Sequence, residues 1–123
     1  MRKYEEEGNK IAITIPQYTP TKSDWKLFLE KLHVWQEAFM DKLNHEYIAL
    51  LSGEGKPSDK FWNLYERQKN DKRLAGVLLW LRKSEMPFGI LRLIREGAIT
   101  IDDLDEFSDE LKNYVKYKIE NPV

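Results

Sequence analysis

AGVLLWL, residues 75–81, is the longest uninterrupted apolar run in the chain, and the reading of these seven residues decides the fold. Its apolar side chains leave no polar face, so the segment reads as buried. Periodicity alone does not separate a buried helix from a short central strand. The surrounding KRLAGVLLWLRKSE reads as a helix, with a five-residue strand, Val77–Leu81, opened by Gly76, as the alternative. That strand would pair with IAITI, residues 11–15, whose alternating β-branched residues predict a strand. Pro16 and Pro20 end the strand and turn the chain away.

On either side of this run the chain reads as helical. Thr21, with Asp24 three residues on, suits a helix start. Trp25, Phe28, Leu29, Leu32, Trp35, Phe39, Leu43, Tyr47 and Leu50 then recur in steps of three and four, the helical period. The breakers Gly53, Gly55 and Pro57 end it after Leu51. About thirty residues of helix span about 45 Å, so a bend or a projecting end is expected. Ser58 is positioned to cap a second helix, with Phe61, Leu64, Tyr65 and Gln68 on one face and Trp62 about 100° away. Ser84 and Pro87 open a further helix closed by Gly97, with Ile90, Leu91 and Ile94 on one side. Thr100 and Asp103 form a capping box for a last helix with a core face of Leu104, Phe107, Leu111, Tyr114 and Val115. The expected fold is mainly α: a single-domain bundle of four to five helices. Residues 21–123 form the bundle, and residues 1–20 an extended arm carrying one short β-strand.

Composition bounds the function. The chain has 123 residues, 41% apolar and 33% charged, which suits one ordinary core. It contains no cysteine, so disulfides, thiolate nucleophiles and Cys-bearing zinc sites are excluded. No apolar run approaches the roughly 20 residues of a membrane span, and MRKYEEEGNK lacks the apolar region of a secretory signal. A cytoplasmic location, with no membrane partner, is the expectation.

No motif names a reaction, cofactor or metal. His33 and His45 lie twelve residues apart on one helix, about 18 Å, too far to share an ion. HEYIA, residues 45–49, has Ala49 where a zincin needs its second histidine. IDDLDEFSDE, residues 101–110, lacks the glycine and loop spacing of a calcium hand and suits the favourable end of a helix dipole. SGEGKPSD lacks the spacing of a phosphate loop. The chain therefore reads as non-enzymatic.

Charge is uneven despite a net charge of −1. Residues 67–95 carry eight basic side chains against two acids, and residues 96–110 carry seven acids and no base. Arg67, Lys69, Lys72, Arg73, Arg82 and Lys83 are the candidate nucleic-acid-binding residues, with Trp62 and Trp80 available to stack on bases. Arg92 and Glu96, an i,i+4 pair, are placed to neutralise each other. Trp80 itself, inside the apolar run, is expected to be buried. The alternative is a solvated face, or one that packs on the acidic last helix.

Two local resemblances bear on function. In LIREGAITIDDLDEF, Leu91, Gly97, Ile99, Thr100 and Phe107 resemble the helical-hairpin module SHOCT, which implies a packing or oligomerisation element; here the second helix opens acidic where that module continues basic. KIAITIPQ followed by a helix resembles the ribbon–helix–helix repressors, which implies strand pairing between two chains with Lys10, Ala12 and Thr14 facing DNA. The helix that follows is about twice the length of theirs, and their short second helix is missing. The general texture is similar to that of small helical proteins of Gram-positive bacteria and their phages or mobile elements. The expected function is macromolecular binding by a small regulator or inhibitor. Its partner is another protein or a second copy, held by Ile11, Ile13 and Ile15 of the strand and by Trp62; the alternative is a nucleic-acid-binding regulator using residues 67–95.

Overall fold

The computed structural model describes residues 15–122; Ile11, Ile13 and the rest of the expected strand before Ile15 lie outside the described residues. Four α-helices follow in order: α1 (Lys22–Ser52), α2 (Pro57–Asp71), α3 (Met86–Arg95) and α4 (Asp109–Glu120). Single 3-10 turns, Lys83–Glu85 and Ile101–Leu104, precede α3 and α4. No strand occurs among the described residues.

Helix α1 starts as its sequence signals, the Thr21 hydroxyl accepting from the Asp24 amide at 3.1 Å. Its first half joins the main core, where Phe28 is fully buried among Met86, Ile90, Leu93, Leu104, Leu111 and Val115. Aromatic rings extend that core: Trp25 against Phe28, Phe28 against Trp35, and Trp35 against Phe107. The second half of α1 leaves this core and pairs antiparallel with α2, which is the projecting end its length requires.

The apolar run is neither the helix nor the strand expected of it. Helix α2 ends at Asp71, amides of Val77 and Leu78 close turns on the Leu74 carbonyl, and residues 78–82 are then neither helix nor strand, with an extended backbone at Arg82. Inward and outward residues alternate: Leu79 and Leu81 approach α3 at Gly89, whereas Leu78 and Trp80 face outward. Trp80 is 83% exposed, against the expectation of burial. The pattern looked wholly buried because the outward residues are apolar too. Side chains pin the start of this segment: Gln36 donates to the Ala75 carbonyl, the Ala75 amide donates to Glu96, and Arg92 donates to the Arg73 carbonyl.

Two further starts differ from expectation. Helix α2 begins at Pro57, whose fixed φ suits a first turn, so Ser58 lies inside the helix and no side chain caps it. The Thr100–Asp103 box forms, but it caps only the 3-10 turn; α4 begins at Asp109, capped by the Ser108 hydroxyl. Tertiary bonding favours that later start. Ser108 donates both its amide and its hydroxyl to Asp24, which is only 3% exposed and also accepts from Tyr18. Four acids, Asp102 to Glu106, therefore precede α4 rather than lying on it. The second helix of the SHOCT-like pattern accordingly does not start at Thr100. Gly97 closes α3 as expected: at φ 84° it is followed by the paired bonds Ala98 N–H to Leu93 O and Gly97 N–H to Ile94 O of a Schellman turn.

Candidate binding surface

The α1–α2 hairpin is held by a polar seam rather than by a thick core. Asp71, 9% exposed, accepts from the Tyr47 hydroxyl at 2.7 Å and from Arg67 Nε at 2.8 Å, while Arg67 also grips Glu46. Glu46, and then Asp71, hold the Arg67 guanidinium in its charged form. Burial, and then the bond to Asp71, push the Tyr47 phenol up to about 12.

Beside this seam runs an open groove of about 290 Å³, lined by Met40, Leu43, Asn44 and Tyr47 of α1, by Gln68, Asp71 and Lys72, and by Val77. Large apolar side chains continue along the hairpin. Ile48 and Leu51 of α1 and Phe61, Trp62 and Tyr65 of α2 are each between 44% and 63% exposed. The Phe61, Trp62 and Tyr65 rings meet edge to face, with centroids 4.9 and 5.9 Å apart. Contiguous exposed apolar side chains such as these three rings mark contact surfaces, whereas scattered single ones do not.

Trp62 thus lies at the centre of an exposed cluster. Ile15, 47% exposed, opens the described chain near the start of α1, at the opposite end from the hairpin turn. The six basic candidates do not form one patch. Arg67 belongs to the seam, Lys69 is exposed on α2 and Lys72 just past its end, and Arg73 follows beside Arg92 near the end of α3. Arg82 and Lys83 stand before the first turn of α3, about 15 Å away along its ten residues. Arg82 pairs with Glu85, and Arg92 pairs with Glu96 as its spacing implies. The acids Glu106 and Asp109 pair with Lys31 and Lys112 rather than with the basic stretch.

The residue pattern singles out Trp62 as a contact and sets Phe61 and Tyr65 on one face with Leu64 and Gln68, without marking them as exposed. The available signal was the width of the apolar arc on α2. Leu64, Phe61, Tyr65 and Trp62 spread over about 160°, more than one neighbouring helix covers. His33 and His45 are both exposed, and among the described residues no cluster of His, Asp or Glu is placed to hold a metal. No described helix is long and apolar enough to cross a membrane. Comparison with family models, with curated proteins and with solved structures finds no match to the chain.

Proposed function

We propose that this chain is a non-enzymatic protein-binding regulator or inhibitor whose contact surface is the open face of the α1–α2 hairpin. One observation carries the reading: Ile48, Leu51, Phe61, Trp62 and Tyr65 lie exposed together on one hairpin. Aromatic side chains at the centre of an apolar patch supply most of the binding energy in protein interfaces. A polar seam beneath them keeps the two helices in register without needing those side chains for folding. A protein of this kind acts by occupying its partner.

The test compares tagged wild-type protein with a Phe61→Glu, Trp62→Glu variant, each recovered under native conditions from the cells that make it. A stoichiometric protein companion recovered with the wild type and lost with the variant is expected. A companion that survives the substitution moves the contact surface off the hairpin.

A second reading, single-stranded nucleic-acid binding, is favoured by one feature: Lys69 lies 5.8 Å from the exposed Tyr65 ring, next to Trp62 and Lys72. Exposed rings flanked by cations suit base stacking and phosphate neutralisation. Fluorescence anisotropy of labelled random DNA decides it. Binding that weakens steeply with salt and is lost on Lys69→Glu with Arg73→Glu supports this reading, and no binding at low salt removes it.

A further inference from the structure

The hairpin face has a shape and a charge pattern that together specify an occupant. With about 100° per residue, Met40, Asn44, Ile48 and Leu51 fall on one flank of α1, and Phe61, Tyr65, Gln68 and Lys72 on the facing flank of α2. Met40 and Asn44 of the first flank and Gln68 and Lys72 of the second line the same groove, which puts the two flanks on one side of the hairpin. Two antiparallel helices with an apolar side left open are half of a four-helix bundle.

The two flanks carry opposite charge. That of α1 bears the exposed Glu37 and Asp41, with Lys31 and Lys42 on the opposite side of the helix; that of α2 bears the exposed Lys69 and, just past its end, Lys72, and its groove-lining acid Asp71 is buried and held by Tyr47 and Arg67. The Glu46–Arg67 pair sets the hairpin register. Stepping along the antiparallel helices from that pair brings Asp41 level with Lys72.

We infer that a second copy of this chain covers the hairpin face, related by a two-fold axis parallel to the helices, so that α1 of each copy lies antiparallel on α2 of the other. This rests on the reading of that face as the contact surface and names its partner. The rotation places Asp41 against Lys72 of the partner subunit, and the symmetry makes the pair occur twice. It brings Ile48, Leu51, Phe61 and Tyr65 of both copies into one core. A two-fold axis lying across the helices instead sets α1 on α1, acid flank against acid flank, and like charges opposed in this way disfavour that arrangement.

Sedimentation velocity over a concentration series tests the inference with the full chain. A monomer–dimer equilibrium is expected for the wild type, and a monomer with unchanged helical circular dichroism for Phe61→Glu and for Tyr65→Glu, whose side chains are already exposed. At low salt Asp41→Lys and Lys72→Glu each weaken the dimer by about tenfold, and the double exchange restores it to within about threefold. A wild type that stays monomeric up to about 100 µM overturns the inference, while the contact-surface reading stands if a different companion is still lost with the Phe61→Glu, Trp62→Glu variant. A dimer that survives Phe61→Glu, or a double exchange that fails to restore it, also overturns the inference.

Discussion

A β-carbon built on Gly76 lies 2.3 Å from the Phe39 ring, whereas one on Gly97 meets nothing within 4 Å. The two glycines are therefore required for different reasons. Gly76 lets the chain pass directly over a buried ring as it leaves the hairpin. Gly97 supplies a left-handed backbone at φ 84°. Gly76→Ala is expected to cost about 1–3 kcal/mol through overpacking, and Gly97→Ala about 1 kcal/mol through backbone strain alone. Denaturant titration separates them, because replacing Phe39 by leucine should relieve only the first. Tyr47 offers a residue-scale test of the seam. Its phenol titrates normally near 10 and is raised to about 12 in the fold. The folded state thus holds that proton more tightly, and stability falls as pH rises from about 10 through about 12. Tyr47→Phe starts less stable at neutral pH, since Asp71 loses a donor, but its stability falls less steeply over that window. Equilibrium unfolding at pH 8, 10 and 11.5 reads the slope.

At the scale of elements, α2 is the one described α-helix with no buried apolar residue. It has no side-chain cap, and Asp71 is its one buried residue among those described. Helix α3, by contrast, buries Met86, Pro87, Gly89, Ile90, Leu91 and Leu93 within ten residues. Local opening free energy follows buried apolar contact, so the amides of α2 should exchange with deuterium faster than those of α3. Arg67→Met removes the link to both Glu46 and Asp71 and is expected to lower the opening free energy of α2 by about 1–3 kcal/mol, leaving α3 and α4 protected. Equal loss of protection in all helices would mean that the hairpin and the main core open as one unit. The segment 78–82 shows the same logic from the other side. It is ordered by side chains of α1 and α3 acting at its start and by Leu79 and Leu81 packing on α3, not by a ladder of its own.

For the whole molecule, Asp24 joins segments that are distant in sequence. It is buried near the start of α1, and it accepts from Tyr18 in the incoming chain and twice from Ser108 at the start of α4. Asp24→Ala leaves three donors without their acceptor and is expected to cost about 3 kcal/mol of global stability. Ser108→Ala, which loses the α4 cap and one of these bonds but keeps the amide bond, is expected to cost about 1–2 kcal/mol. Thermal or chemical denaturation of the two variants checks the order. A smaller loss for Asp24→Ala than for Ser108→Ala would mean that the carboxylate is not the joint between the two ends of the chain.

The local features of this protein were legible in its residues. The period of three and four over α1, the Gly97 stop, and the core residues Phe28, Leu104, Phe107, Leu111 and Val115 all follow from side-chain pattern and capping chemistry, which act over a few residues. Trp62 was legible as a candidate contact because its angle separates it from Leu64. The conformation of Val77–Leu81, the exposure of Trp80, the true start of α4 and the exposure of Ile48, Leu51, Phe61 and Tyr65 were not. Each depends on a partner far along the chain: Gly89 and Glu96 for the apolar run, Asp24 for Ser108, and the Glu46–Arg67–Asp71 seam for the hairpin face. An apolar side chain has the same identity whether it faces a core or water, and only the packed fold decides which it meets.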